Sequence, residues 1–269
     1  MILRTKAIFL FLICFPTLIL AAETQSLIKE NFGEHFYGVY IGEFKLGYVI
    51  HKISQTQDEI SQNFSMNVRI SLSEEEQKEH KAKYAFSQII SQYQFNKETG
   101  LLNSMTEADG KKYYADYDAL LNNNYFKQEI STLTAKYKGN FSYEVLTSDK
   151  NGEASKFLKL PSLHIKDYFA EINFILSKPE IGQSRTIEVF DLDFENEVFL
   201  SATLTLKQKI TTGGGSRLND EYVIQEDLDG ESFTYKVDQF GNIIRAEMFG
   251  LNLIREPKEQ ALTLDAKSI

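Results

Sequence analysis

The chain has 269 residues, enough for one large domain or two small ones, and its formal net charge is −9. This acidic surplus repels phosphate groups at long range, so we expect no nucleic-acid partner. The 20 Phe and 14 Tyr residues, with no Trp, favour a β-rich core because aromatic side chains suit pleated sheets.

The first 22 residues have the pattern of a secretory signal peptide. Arg4 and Lys6 form a basic start, residues 7–20 form an apolar stretch, and Ala21 and Ala22 form a small-residue cleavage end. The apolar stretch is shorter than the about 20 residues of a comfortable membrane span, so we expect a periplasmic or secreted protein without a membrane span after cleavage. An uncleaved anchor is the alternative, because a bulky leucine stands at the third position before the cut.

The single cysteine of the chain, Cys14, lies inside this leader. Cleavage therefore leaves no thiol, which excludes disulfides, thiol nucleophiles and thiolate zinc sites from the mature chain. Loss of the two basic side chains of the leader also changes the net charge from −9 to −11. The mature protein must be stabilised by its core alone.

Three glycines interrupt the strand-like run of residues 36–53, FYGVYIGEFKLGYVIHKI. Gly42 and Glu43 fit a two-residue type II′ turn, which requires glycine first. Counting outward from this turn predicts an apolar ladder on one face and a direct pair of Gly38 with Gly47 on the other. Paired glycines allow either a sharp bend or the close approach of a ligand or backbone. The predicted ladder consists of Tyr37, Val39, Ile41, Phe44, Leu46 and Tyr48.

Alternating apolar residues predict further strands in the N-terminal part of the chain. One covers residues 59–72, and another covers residues 82–95. The charged stretch between them, SEEEQKEHK at 73–81, is interpreted as a solvated turn. Asp109 and Gly110 form a hairpin signal, so we expect a turn there.

One segment departs from the strand pattern and predicts the principal helix, near residues 162–176. Ser162 is a candidate N-cap, and Pro179 with Gly182 ends the pattern. The residues at helical spacing are Leu163, Tyr168, Ile172 and Ile175. The helix lies in a helical connection (156–182) between an N-terminal β half (23–155) and a C-terminal β half (183–269), after the signal peptide (1–22).

The C-terminal half again has the alternation of strands. Asp229 and Gly230 predict a hairpin turn. Counting from this turn pairs Ile224 with Tyr235, and Tyr222 with Val237. The expected fold class is therefore mainly β, with curved antiparallel sheets as a half-barrel or two β meanders and one principal helix.

We find no local motif for catalysis or metal binding. The four histidines, at 35, 51, 80 and 164, do not form an HxH, HExxH or HxxxH pattern. The run DLDFENE at 191–197 alternates acidic residues but lacks the glycine and final carboxylate of an EF-hand, so we interpret it as an acidic hairpin turn. We expect no cofactor, no metal and no catalytic residue. Two distant carboxylates that converge in the fold remain the alternative for a hydrolase.

Three stretches carry a resemblance to known proteins: YGVYIGEFKLGYV, PEIGQSRTIEVFDLD and YKVDQFGNIIRAEM. The chain resembles the exported bacterial β-rich domains that often precede transglutaminase-like cores in envelope proteins. It is more loosely similar to the lipoprotein-carrier-like half-barrels of the periplasm. The resemblance implies an accessory module of the envelope that lacks the enzyme core. A transglutaminase-like core needs Cys, His and Asp, and the mature chain would contain no Cys.

These observations predict a non-enzymatic exported envelope protein that acts as a binding or scaffold module. The alternative is a periplasmic carrier of lipid or lipoprotein with an apolar cavity. The expected partner is an unidentified envelope protein or an apolar ligand. The candidate ligand-binding residues line the first hairpin and the hairpin at Asp229: Tyr37, Val39, Leu46, Tyr48, Phe233 and Tyr235.

Overall fold

The computed structural model describes most of the chain after residue 30. The described residues are 31–140, 142–159, 164–165, 168–192, 197–212 and 219–263. The predictions for the signal peptide, for an N-cap at Ser162 and for the centre of the acidic turn at 193–196 lie outside these residues.

The described residues form fourteen strands and four short helices. The strands are β1 (Gly33–Ile41), β2 (Phe44–Gln55), β3 (Glu59–Ser71), β4 (Tyr84–Asn96), β5 (Leu102–Tyr114), β6 (Lys127–Gly139), β7 (Ser142–Asp149), β8 (Gly152–Lys159), β9 (Ser184–Leu192), β10 (Glu197–Thr212), β11 (Asn219–Leu228), β12 (Glu231–Asp238), β13 (Ile243–Met248) and β14 (Leu251–Arg255). The helices are α1 (Glu74–His80), α2 (Tyr117–Leu121), α3 (Ala170–Leu176) and α4 (Lys258–Leu262).

All fourteen strands belong to one antiparallel sheet. The spatial order runs from β8 back to β1, then from β14 back to β9. The pairing of β1 with β14 therefore joins the two halves of the chain into a continuous sheet. No pairing among the described residues joins the edge strands β8 and β9, so the sheet is open. The mainly β, antiparallel fold class predicted from the sequence is confirmed.

One face of the sheet, here called the inner face, carries the core. Val49, Met66 and Ile89 lie opposite one another on β2, β3 and β4, and all three are buried. Residues of both halves belong to the same buried cluster, for example Leu133 on β6 and Ile224 on β11. The sheet must therefore curl around a shared core, because a flat sheet would hold these residues apart.

The chain crosses from one sheet edge to the other between β8 and β9. We call residues 160–183 the crossover segment. The described part of this segment, 164–165 and 168–183, contacts strands or turns of both halves of the sheet. This part packs on the inner face. The apolar side chains that it buries there are Ile165, Tyr168, Phe169, Ile172, Phe174 and Ile175.

The principal helix is shorter than predicted. Helix α3 covers Ala170–Leu176, whereas the sequence pattern indicated 162–176. His164 forms an isolated antiparallel bridge with Leu101, so the chain is extended there and cannot be helical. Pairing with the β4–β5 turn has overridden the helical spacing of the apolar residues.

The charged stretch at 73–81 contains a helix, so its interpretation as a solvated turn was wrong. Ser73 accepts a hydrogen bond from the main-chain nitrogen of Glu76, and the Glu76 carboxylate accepts one from the main-chain nitrogen of Ser73. This reciprocal pair is a capping box, which favours helix formation. Acidic side chains in the first turn add a favourable interaction with the helix dipole.

The two Asp-Gly hairpin signals have different outcomes. Asp229 and Gly230 both have positive φ, at 48° and 83°, and the predicted pairs of Ile224 with Tyr235 and of Tyr222 with Val237 are present. The turn predicted at Asp109 is wrong, because β5 runs straight through it. A turn there would remove the ladders that β5 forms with both β4 and β6.

The first hairpin has the predicted turn but a different register. Ile41 lies opposite Phe44, and Gly42 has a φ of +57°, in agreement with a turn at Gly42 and Glu43. A β-bulge at Leu46 then shifts the pairing by one residue. Gly47 lies opposite Val39 and Gly38 lies opposite Tyr48, so the predicted glycine pair was wrong. A bulge is invisible to a simple alternation count, because it changes the face of every residue beyond it.

The bulge divides the predicted apolar ladder. Tyr37 and Val39 are buried on the inner face, whereas Ile41 and Phe44 are exposed at the tip of the hairpin. Tyr48 lies on the opposite, outer face with Gly38.

Candidate functional site

The predicted ligand-binding residues lie mainly in the core of the inner face. Four of them are buried in the shared cluster: Tyr37, Val39, Phe233 and Tyr235. Leu46 is partly buried and packs against the same cluster. Tyr48 is separated from them on the outer face, where partial burial raises the pKa of its hydroxyl. The structure thus brings five of the six residues into or against one cluster.

That cluster lies beneath the crossover segment, which contacts each half of the sheet at a glycine turn. Gly100, between β4 and β5, has a φ of +69°, and a Cβ there would lie 2.6 Å from Nε2 of His164. Gly241, between β12 and β13, has a φ of +82°, and a Cβ there would lie 2.8 Å from Cγ1 of Ile172. Glycine is needed at both turns for the backbone conformation and for the close approach of the segment.

Side chains dominate the contact in the middle of the segment. Tyr168 packs against Tyr93 and Phe95, with ring centroids 5.2 Å apart in both pairs. The described main-chain hydrogen bonds to the sheet lie near the two ends of the segment. Ile165 donates to the carbonyl of Gly100 at 2.6 Å, and Gly182 donates to that of Leu206 at 2.7 Å. The middle of the segment is thus positioned by apolar and aromatic packing.

Two glutamates are buried on the same face. Glu107 on β5 is 1% exposed, and Glu226 on β11 is 0% exposed. The hydroxyl of Tyr93 donates to Glu107 at 2.8 Å, and that of Tyr235 donates to Glu226 at 2.5 Å. Each half of the sheet therefore holds one tyrosine–glutamate pair in its core. Carboxylates are rarely buried to this extent, because their desolvation is costly.

Two histidines form a second polar group on the inner face. His35 and His51 lie opposite each other on β1 and β2, with ring centroids 6.1 Å apart. Arg255 lies with Nη2 3.0 Å from Nδ1 of His35, and the carbonyl of Asn31 lies 3.2 Å from Nε2. In neutral His35, Nδ1 then accepts from the guanidinium and Nε2–H donates to the carbonyl. Gln62 lies 3.1 Å from Nε2 of His51.

Burial keeps both histidines neutral. Desolvation, reinforced by the nearby His35, lowers the pKa of His51 to about 3. Desolvation also lowers the pKa of His35, and the Arg255 guanidinium acts in the same direction. The Asn31 carbonyl opposes this shift but does not reverse it. A proton on either ring would add positive charge to a region that already holds a guanidinium.

A small cavity lies between His51 and the crossover segment. Its volume is about 10 Å³, which is room for a single water molecule. Ile172 of the segment and Gly241 of the turn beneath it contribute to its wall. The inner face beside His51 is thus filled by the chain itself, and a larger ligand would enter there only if the segment moved.

The two buried glutamates of this site were missed from the sequence, although a signal for Glu226 exists. Strand β11 alternates Tyr222, Ile224, Glu226 and Leu228 on its inner side, so the glutamate is in phase with apolar residues. Glu107 likewise follows Met105 by two residues. His51 shows the same signal, since it is in phase with the buried Val49 and Ile53 on β2, whereas the contact of Arg255 with His35 joins residues distant in sequence.

A further buried charge lies on the outer face and explains Gly38. Lys45 forms an ion pair with Glu256 at 2.6 Å and donates to the carbonyl of Gln260, also at 2.6 Å. The hydroxyl of Tyr40 donates to the same carboxylate. A Cβ on Gly38 would lie 2.8 Å from Oε2 of Glu256. This network fastens the C-terminal helix α4 to the first hairpin.

Among the described residues, no group of three or more His, Cys, Asp or Glu is arranged to hold a metal ion. Within the same ranges, none of the helices combines the length and hydrophobicity that crossing a membrane requires.

Comparison with known proteins supports the fold class. No family model matches the chain, and no curated protein matches it. Among solved structures, it is similar to a β-barrel-like protein of a domain of unknown function, DUF1849, from Brucella abortus. The TM-score is 0.53 at 8% identity, over 83% of this chain and 94% of that one. The chain therefore has a β-barrel-like fold, built as one open antiparallel sheet around a crossover segment.

Proposed function

We propose that this protein is a non-enzymatic, exported binding module of the bacterial envelope, which holds an apolar segment of a partner protein on its inner face. The observation that carries the proposal is the way the crossover segment occupies that face. Its middle is held by side chains such as Tyr168 and Ile172, while its described main-chain bonds to the sheet lie near its ends. An apolar segment of another protein would be held by the same contacts.

The two buried glutamates support the proposal that the crossover segment does not cover the inner face permanently. In a core that never opens, Glu107 and Glu226 would carry a desolvation cost that apolar residues of similar size avoid. Departure of the segment would solvate the carboxylates that lie beneath it: Tyr93, the partner of Glu107, packs against Tyr168 of the segment. Their hydrogen bonds from Tyr93 and Tyr235 stabilise them while the face is covered.

The sharpest test uses the crossover segment itself as the probe. A labelled synthetic peptide, HIKDYFAEINFIL, reproduces residues 164–176. Replacing Tyr168 and Phe174 with alanine weakens the internal segment, and we expect this variant to bind the peptide more tightly than the wild type does. In the wild type the tethered segment competes at a high effective concentration.

A matched control is Leu146→Ala, which removes an exposed leucine of β7 and leaves the segment intact. It should bind the peptide no better than the wild type. Absence of peptide binding to the folded alanine variant, shown by circular dichroism to retain its sheet, would contradict the proposal.

The second candidate is a carrier of lipid or lipoprotein. The breadth of the apolar cluster, which spans both halves of the sheet, favours it as well. At the cavity beside His51, which has room for about one water, a carrier would have to displace the crossover segment to hold an acyl chain. Native mass spectrometry of the protein isolated from its host envelope separates the two: bound lipid supports the carrier, and a lipid-free protein supports the peptide-binding module.

A further inference from the structure

The histidine cluster, defined as His35, His51 and Arg255, lies at the base of the crossover segment. His51 and Ile172 line the same small cavity, and Ile172 lies over Gly241. The imidazole of His51 can therefore reach bulk water when this part of the segment lifts away. The geometry links the protonation of the cluster to the position of the segment.

The described titratable and charged groups around the cluster come from four strands, and three of the four groups are positive once both histidines are protonated. His35 and His51 face each other from β1 and β2, and Arg255 approaches from β14. Asp238, at the end of β12, lies 3.7 Å from the guanidinium and also accepts hydrogen bonds from its own turn. From β3, the neutral side chain of Gln62 contacts His51.

We propose that acidification releases the crossover segment from the inner face by protonating the histidine cluster. Protonation of both rings would place three positive charges near the carboxylate of Asp238. Opening relieves this repulsion, because it exposes the His51 imidazole to water. The biological use of this release rests on the proposed function, since the opened face is the one that would bind a partner.

The segment should open before the sheet does. Helix α3 has seven residues, fewer than the about 12–15 that an isolated helix needs for even marginal stability. The strands beneath it are joined by continuous ladders, for example β4 with both β3 and β5. Local opening therefore disrupts few main-chain hydrogen bonds, whereas separating the strands disrupts many.

The direction of the pH effect follows from the burial of the rings. In the closed state His51 is neutral because its pKa is lowered to about 3, while in the open state its pKa returns toward about 6.5. The open state thus binds more protons, and opening becomes more favourable as pH falls below about 6.5. The opening constant should rise by up to about tenfold per pH unit for each histidine that titrates.

Hydrogen exchange with mass spectrometry tests this on the full mature chain without ligand. Protection factors, which correct for the intrinsic pH dependence of exchange, are compared at about pH 7.5 and about pH 5. Residues 168–176 should lose at least about tenfold in protection, while β4 remains unchanged. Equal protection of the segment at both pH values would overturn the proposal.

Three histidine variants test whether the acid-dependent loss of protection arises from the histidine cluster. His51→Gln and His35→Gln, each with a side chain that does not titrate, should reduce the acid response. His80→Gln is the matched control, because His80 stacks on Tyr113 away from the cluster, and it should respond like the wild type. If His51→Gln fails to fold, His35→Gln carries the test. An undiminished acid response in the folded cluster variants would overturn the assignment.

The outcomes also separate this proposal from the proposed function. Acid-dependent opening without binding of the HIKDYFAEINFIL peptide would support the acid-dependent release of the segment and contradict the proposed binding module. Peptide binding by a protein whose crossover segment shows the same protection at both pH values would support the binding module and contradict the acid-dependent release.

Discussion

At the scale of single residues, glycines mark places where another group occupies the space of a side chain. At Gly47 a Cβ would overlap the carbonyl oxygen of Asn67 and lie 2.8 Å from Cα of Val68. At Gly38 the neighbour is the Glu256 carboxylate. The sequence pattern correctly indicated that glycines in this hairpin have a reason. It could not supply the reason, because the neighbouring groups come from β3 and from the C-terminal segment.

Gly47→Ala should therefore be strongly destabilising. Its Cβ meets main-chain atoms that cannot rotate away, so we expect a loss of about 3 kcal/mol in the free energy of unfolding. Gly110→Ala is the matched control in another strand of the same sheet, β5, where the nearest atom to an added Cβ is 3.8 Å away. Urea titration of both variants measures the difference, and similar stabilities would contradict this account of Gly47.

The Lys45–Glu256 pair gives a second prediction at this scale. Lys45→Met leaves the Glu256 carboxylate buried without its ammonium partner, which should cost about 3–5 kcal/mol. The double change Lys45→Met with Glu256→Leu should recover much of that loss. The exposed pair of Lys52 with Glu34 is the control, since Lys52→Met should cost about 1 kcal/mol or less. Equal losses in the free energy of unfolding for Lys45→Met and Lys52→Met, measured by denaturant unfolding, would contradict the prediction.

At the scale of elements, local sequence patterns predicted the structure correctly where interactions between residues close in sequence determine it. The hairpin at Asp229 follows from its turn residues, and the strands follow from alternation. The same dipeptide at Asp109 does not form a turn, because pairing with two neighbouring strands outweighs turn preference. Likewise the helical spacing before α3 gives way to the bridge between His164 and Leu101. Such outcomes depend on contacts distant in sequence, which a local pattern does not contain.

Helix α1 is the element whose local signal was overlooked. Ser73→Ala removes one side of its capping box and should cost about 1 kcal/mol. Ser73→Asp is the matched control, because aspartate also accepts a hydrogen bond at the N-cap and should leave stability nearly unchanged. Thermal unfolding compares the two. An alanine variant as stable as the aspartate variant would contradict the role given to the cap.

At the scale of the whole molecule, the order of strands determines where the candidate site lies. Because β1 pairs with β14, the edges β8 and β9 fall at opposite ends of the strand order of one sheet, and the described part of the segment between them packs on the inner face. The sequence predicted an apolar face on the first hairpin and a principal helix near residues 162–176, of which the structure shows a helix at Ala170–Leu176. The sequence left open whether the two halves form one sheet, because neither the residues of β1 nor those of β14 specify the strand with which they pair.

The central claim is that the crossover segment is an occupant of the inner face that opens independently of the sheet. Native-state hydrogen exchange at neutral pH in increasing, low concentrations of urea tests it most directly. We predict that residues 168–176 exchange through a local opening with a free energy several kcal/mol below that of β3, β4 and β5, and with little dependence on urea. Exchange of the segment only together with these strands, at the same free energy and with the same urea dependence, would contradict the claim.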